Sequence, residues 1–229
     1  MIKIVSFKIC PFVQRVTAAL EANKIPYEIE YISLSNKPQW FLEVSPNGQV
    51  PLLITESGTA LFESDAIVEY IEDEFGPLEQ DISNEQRALD RAWSYLGSKH
   101  YLPQCGAMSS STQDTLEERV EKLAKAFDKV ERKLVGPLFK GEQLSNVDIA
   151  WLPLLHRASI IKSRTCFDML KGFPKVQMWQ THLMDSGLAA KTVSGDFEQA
   201  FSDFYLSDKT FLGKGEDCKT SSGCSTNCC

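Results

Sequence analysis

Hydrophobic spacing alternates between strand and helix periods up to about residue 80 and keeps only the helical period after it. "IKIVSF" reads as a strand; Phe12, Val16, Ala19 and Leu20 then recur at helical spacing, with a stop near Asn23 and Pro26 just beyond. "YEIEYI" alternates as a strand should, and "NKPQWFLEV" predicts a short helix. "VPLLI" and "TALF" flank "TESG", where Gly58 supplies a hairpin turn. Ile67, Tyr70, Ile71 and Phe75 return to helical spacing and are closed by Gly76 and Pro77. The order β-α-β-α-β-β-α implies an α/β unit with a mixed sheet, parallel where a helix crosses over and antiparallel at the hairpin.

Beyond that point Leu116, Val120, Leu123, Phe127, Val130 and Leu134 form one apolar stripe between charged faces. Ser145 stands three residues before Asp148 and ahead of the apolar run "IAWLPLL", a capping-box spacing with Asp in place of Glu. The expected organisation is an α/β domain over 1–77, a linker over 78–83 ("LEQDIS") and an all-α domain over 84–212. The last stretch, 213–229, is polar, rich in small residues and expected to be a flexible tail.

Charge and composition narrow the functions. A net charge of -7 argues against binding nucleic acid, which needs clustered Lys and Arg. No apolar run approaches the roughly 20 residues of a membrane span, and no secretory leader pattern opens the sequence, so a cytoplasmic location is expected. His100, His156 and His182 share no ligand spacing, and no metal site is expected. The seven cysteines do not form a disulfide framework: Cys218, Cys224, Cys228 and Cys229 crowd the tail, and Cys10, Cys105 and Cys166 stand far apart. Cys105 and Cys166 are expected to pack in the interior. The tail thiols lack a structural zinc pattern, although a soft metal ion or glutathionylation stays open for them.

Cys10 is the exception. It sits between the first strand and the first helix, followed by Pro11, which suits the opening helical position because no N–H donor is needed there. A thiol at that place faces unpaired N–H groups and the positive end of the helix dipole, so it is expected to be more acidic than a free cysteine. A buried cysteine that happens to precede a helix is the alternative. Position 13 is Val, so Cys10 has no neighbouring dithiol partner, and its resolving thiol is expected from outside, from a small thiol such as glutathione.

"CPFVQRV", "NKPQWFLEVSPNGQVPLL" and "LFESDAIVEYI", in that order and spacing, resemble the cysteine-type cytosolic glutathione transferases, nearest the omega class and the dehydroascorbate reductases. The resemblance implies a thioredoxin-like domain holding glutathione, a helical domain lining a second-substrate pocket, and a homodimer. It implies Cys10 as the catalytic nucleophile, Phe12 beside it, and Pro51 as the family's cis-proline. Val50 would offer its backbone to the cysteinyl unit of glutathione, Glu63 and Ser64 would hold the γ-glutamyl group, and Lys37 would reach the glycine carboxylate. Ser145 and Asp148 match a structural cap. Trp93, Tyr95 and Tyr101 fall where the second-substrate pocket is lined, or are helix packing. Ile9 stands where plant-type dehydroascorbate reductases carry an acidic residue, which leaves ascorbate chemistry in doubt. The expected activity is glutathione-dependent thiol transfer or reduction on a small electrophilic, oxidised or glutathionylated substrate. Conjugation of glutathione to an electrophile, and a non-catalytic binding protein on the same fold, are the alternatives.

Overall fold

The computed structural model describes residues 1–165 and 167–215. Cys166 and the four tail cysteines therefore lie outside the described residues. Strands β1 (Ile2–Ser6), β2 (Tyr27–Tyr31), β3 (Leu52–Ile54) and β4 (Ala60–Phe62) form one sheet in the order β2-β1-β3-β4. β1 pairs with β2 in parallel, Ile4 opposite Ile29, and with β3 antiparallel, Ile4 opposite Leu53. β3 and β4 form the expected hairpin.

Helix α1 (Pro11–Ala22) crosses over between the parallel strands, as the spacing predicts. The second helical connection does not behave in the same way: α2 (Gln39–Val44) joins β2 to a strand that runs against it. A six-residue helix is only about 9 Å long. β3 enters the sheet from the end at which β2 left it. β3 begins at Leu52 rather than Val50, because Pro51 has no N–H to give a ladder.

Central strand β1 is buried on both faces, and its alternation sorts the core. Ile2 and Ile4 face α1 and α3 (Ser64–Phe75) with Val16, Leu20, Leu53, Ile67 and Ile71. Val5 faces α2 with Ile32, Phe41 and Leu52. The larger cluster runs on without a break into the helical part, through Tyr101, Phe127, Trp151 and Trp179.

That part comprises α4 (Asn84–Ser98), α5 (Tyr101–Met108), α6 (Gln113–Glu131), α7 (Asn146–Arg164), α8 (Pro174–Asp185), α9 (Leu188–Lys191) and α10 (Phe197–Tyr205). Ser83 at the end of the expected linker caps α4, accepting from Gln86 N–H at 3.1 Å. The stripe on α6 is real, although the helix stops before Leu134. α7 is buried along most of its length and packs on both α1 and α4, which makes it the axis joining the two parts. Its start is held by Asp148, whose carboxylate accepts from Ser145 N–H (2.8 Å), Ser145 hydroxyl (2.6 Å), Phe139 N–H (2.8 Å) and Trp179 Nε1 (2.7 Å). Residues 213–215, expected in the tail, instead belong to a 3₁₀ turn, Leu212–Lys214, and its end. The reason lies just before it: Phe211 and Leu212 are buried, and Phe211 N–H donates to Ser110 C=O at 2.7 Å.

Candidate functional site

A cavity of about 290 Å³ opens at the carboxyl end of β1, where the start of α1, the turn before β3 and the start of α3 meet. Cys10, Phe12, Lys37, Val50, Pro51, Glu63 and Ser64 all line it, so the seven residues singled out in the sequence converge on one place. Leu34, Asn47, Gly48, Gln49 and Leu102 complete the wall. These five carried no signal of their own: four are loop residues, and Leu102 arrives from α5.

Each wall element has a local cause. Cys10 occupies the N-cap of α1 in extended conformation, with Pro11 at the first helical position. Its thiol lies 4.0 Å from Val50 C=O, and the N–H groups of Phe12 and Val13 face the sulfur. The Val50–Pro51 peptide is cis. Glu63 caps α3 at φ +66°, a region few non-glycine residues occupy, and its carboxylate accepts from Asn47 Nδ2 at 3.0 Å. Ser64 follows at the buried first position of α3, beside N–H groups that the helix itself leaves unpaired. Lys37 reaches across the loop to donate to Gly48 C=O at 2.8 Å. The cavity thus sets a thiol, an exposed carboxylate, an ammonium group and a helix N-terminus around one floor.

The expected acidity of Cys10 is reversed. Burial pushes its thiol above the ordinary value, outweighing the N–H groups of Val13 and Phe12 and the positive charge of Arg157. The helix start alone would lower it, but Cys10 is half-buried against the helical core, with Tyr101, Cys105 and Tyr205 near the thiol.

Tyr101 is wholly buried, set edge-on to Phe12 with ring centroids 5.1 Å apart, and donates its hydroxyl to Ala150 C=O. Trp93 tilts onto Phe139, and Tyr95 donates to Glu69. None of the three lines the Cys10 cavity. Among the described residues no cluster of His, Cys, Asp and Glu has the makings of a metal site, and no helix is long and apolar enough to cross a membrane.

Another cleft, about 510 Å³, lies between Phe7–Ile9, Tyr31–Ser33 and helix α10.

A four-stranded mixed sheet with a thiol at its first helix, followed by a helical domain on the same core, defines a two-domain protein with a thioredoxin-like amino-terminal half. The chain belongs to the glutathione S-transferase family: the family's N-terminal domain matches residues 9–74 and its C-terminal domain residues 70–186. Glutathione S-transferase omega-1 of Sus scrofa is 29% identical over 212 residues, covering 90% of this chain and 86% of that protein. Glutathione S-transferase DHAR2 of Arabidopsis thaliana is 31% identical over 156 residues, covering 66% and 68%. Among solved structures, glutathione transferase Omega 3C of Trametes versicolor superposes with a TM-score of 0.73 at 27% identity, covering 84% of this chain and 89% of that one.

Proposed function

We propose that this protein is a glutathione-dependent thiol transferase in which Cys10 forms a mixed disulfide with glutathione. The observation that carries the reading is the convergence of Cys10 with Lys37, Val50, Glu63 and Ser64 in one cavity. The donor set fits the tripeptide. Lys37 suits the glycine carboxylate, Val50 offers its backbone to the cysteinyl unit in the manner of an added strand, and Ser64 with the α3 N-terminus suits the γ-glutamyl carboxylate. Glu63 suits the ammonium group, Pro51 shapes the turn, and Phe12 walls the sulfur.

In the cycle the Cys10 thiolate attacks the glutathione sulfur of a mixed disulfide, the S–S bond breaks, and the substrate thiolate leaves with the electron pair and takes up a proton. A second glutathione thiolate attacks the Cys10–glutathione bond, releasing glutathione disulfide and regenerating Cys10. A raised pKa reduces the thiolate fraction at neutral pH but makes the thiolate that forms more nucleophilic, so the two effects partly offset. The second substrate is a small electrophilic, oxidised or glutathionylated molecule. A homodimer and a cytoplasmic setting rest on the family resemblance.

The test is mass spectrometry of the protein after incubation with glutathione disulfide. The expected result is one added glutathione on the peptide bearing Cys10, removed by excess glutathione. Absence of that adduct, with glutathione still binding, would refute the mechanism.

A further inference from the structure

Helix α7 brings a guanidinium into the interior behind Cys10, and its surroundings are unusual. Arg157 is wholly buried. Nη1 donates to Gln14 Oε1 at 2.6 Å and to Pro153 C=O at 3.0 Å, and Nη2 donates to Ile9 C=O at 2.9 Å. Its face lies over the Phe197 ring at 5.5 Å. All three acceptors are neutral, and among the described residues no carboxylate forms an ion pair with it; by contrast Arg15, also buried, pairs with Asp65. A buried charge normally has a counter-charge, because its desolvation is expensive.

The other groups around the guanidinium narrow which of them can become its counter-charge. His156, the adjacent residue, is buried and stays neutral, accepting from Gln14 Nε2 at 2.8 Å. The remaining titratable neighbours, the strongest first, are Cys105 on α5, Cys10 at the cap of α1, Tyr205 on α10 and Tyr101 on α5. Of these only Cys10 opens onto the glutathione-site cavity, and it is the residue bonded to Ile9, whose carbonyl Arg157 holds. The cavity also presents Lys37 and Glu63, which are joined to Gly48 C=O and Asn47 at its far wall.

We propose that Arg157 is a positioning residue whose unpaired charge is the built-in counter-ion of the Cys10 thiolate and whose Nη2 anchors the backbone immediately before that cysteine. The guanidinium stays protonated at any working pH, so its field is permanent. Gln14 is the relay that fixes it: its amide oxygen takes Nη1, and its amide nitrogen is held by His156 and, at 3.1 Å, by Thr192. The helical domain thereby sets how much thiolate the amino-terminal domain carries. This rests on Cys10 being the nucleophile of the proposed function.

The experiment is the pH profile of iodoacetamide alkylation at Cys10 itself, followed by peptide mass, in wild type, Arg157→Met and Arg157→Lys. Loss of an opposite charge near a thiol raises its titration midpoint by about one unit or more, which cuts the thiolate fraction about tenfold or more below the midpoint and slows alkylation by less than that, because the thiolate that forms is more nucleophilic. Arg157→Met should show this rise, and Arg157→Lys should restore most of the midpoint. Gln14→Glu covers the case in which Arg157→Met fails to fold: it pairs a carboxylate with the guanidinium in place and should raise the midpoint too. A midpoint unchanged in Gln14→Glu and in folded Arg157→Met would overturn the proposal. Alkylation reads thiol acidity without glutathione, so a missing mixed disulfide alongside a shifted midpoint would sink the proposed function and leave this assignment standing.

Discussion

Acidification should destabilise the fold through His156. The imidazole is buried on α7, stacked on Phe197 with ring centroids 5.2 Å apart and planes 16° apart, and it accepts from Gln14. Burial, aided by the positive charge of Arg157, pushes it from 6.5 down to about 3. Below pH 6.5 the unfolded chain therefore binds a proton that the folded chain refuses. The stability tied to the neutral ring is complete above that value and falls away as pH drops towards 3. At about pH 5 the gap is about 1.5 units at 1.36 kcal/mol each, or about 2 kcal/mol, a sizeable part of a typical folding free energy. Urea unfolding of wild type and His156→Gln at about pH 7.5 and about pH 5 isolates this share, because the other titrating groups are common to both proteins. Wild type should lose about 2 kcal/mol more than the variant between the two conditions. Parallel losses, equal within about 0.5 kcal/mol, would mean that the folded protein admits the proton and that the burial argument is wrong.

Three further outcomes follow from the same geometry. Cys10→Ser should abolish disulfide exchange with small glutathione mixed disulfides while calorimetric glutathione binding survives, since the carboxylate and backbone contacts remain; equal loss of both would contradict that division. The alkylation midpoint of Cys10 in the wild type should lie at or above the free-thiol value of about 8.5, because burial raises it; a midpoint well below would show that the helix start prevails after all. Asp148→Ala should cost about 4 kcal/mol or more in urea unfolding, as four donors lose their acceptor at about 1 kcal/mol or more each. A cost under about 1 kcal/mol there would mean that water replaces the carboxylate.

Residue spacing determined a good deal about this protein. Periods of two and 3.6 are local properties of a strand and a helix, so the four strands and the flanking helices were legible, as was the α7 cap from Ser145 and Asp148. Cys10 was legible for a similar reason, since it sits at an element's end where a backbone requirement marks it; Pro51, Glu63 and Ser64 came as site residues only with the family resemblance. The direction of β3 was not legible, since it depends on the end of the sheet at which the chain re-enters, which no local period reports. The acidity of Cys10 was not either. Desolvation outweighs the local N–H groups of Val13 and Phe12 and the charge of Arg157, and Arg157, whose partner Ile9 is 148 positions away, looks in sequence like any charged residue on a helix. Local pattern reports which backbone groups need partners. Only the packing of α5, α7 and α10 over the start of α1 decides how much water the sulfur keeps and which charge it faces, because burial and field are sums over residues that the chain order does not place together.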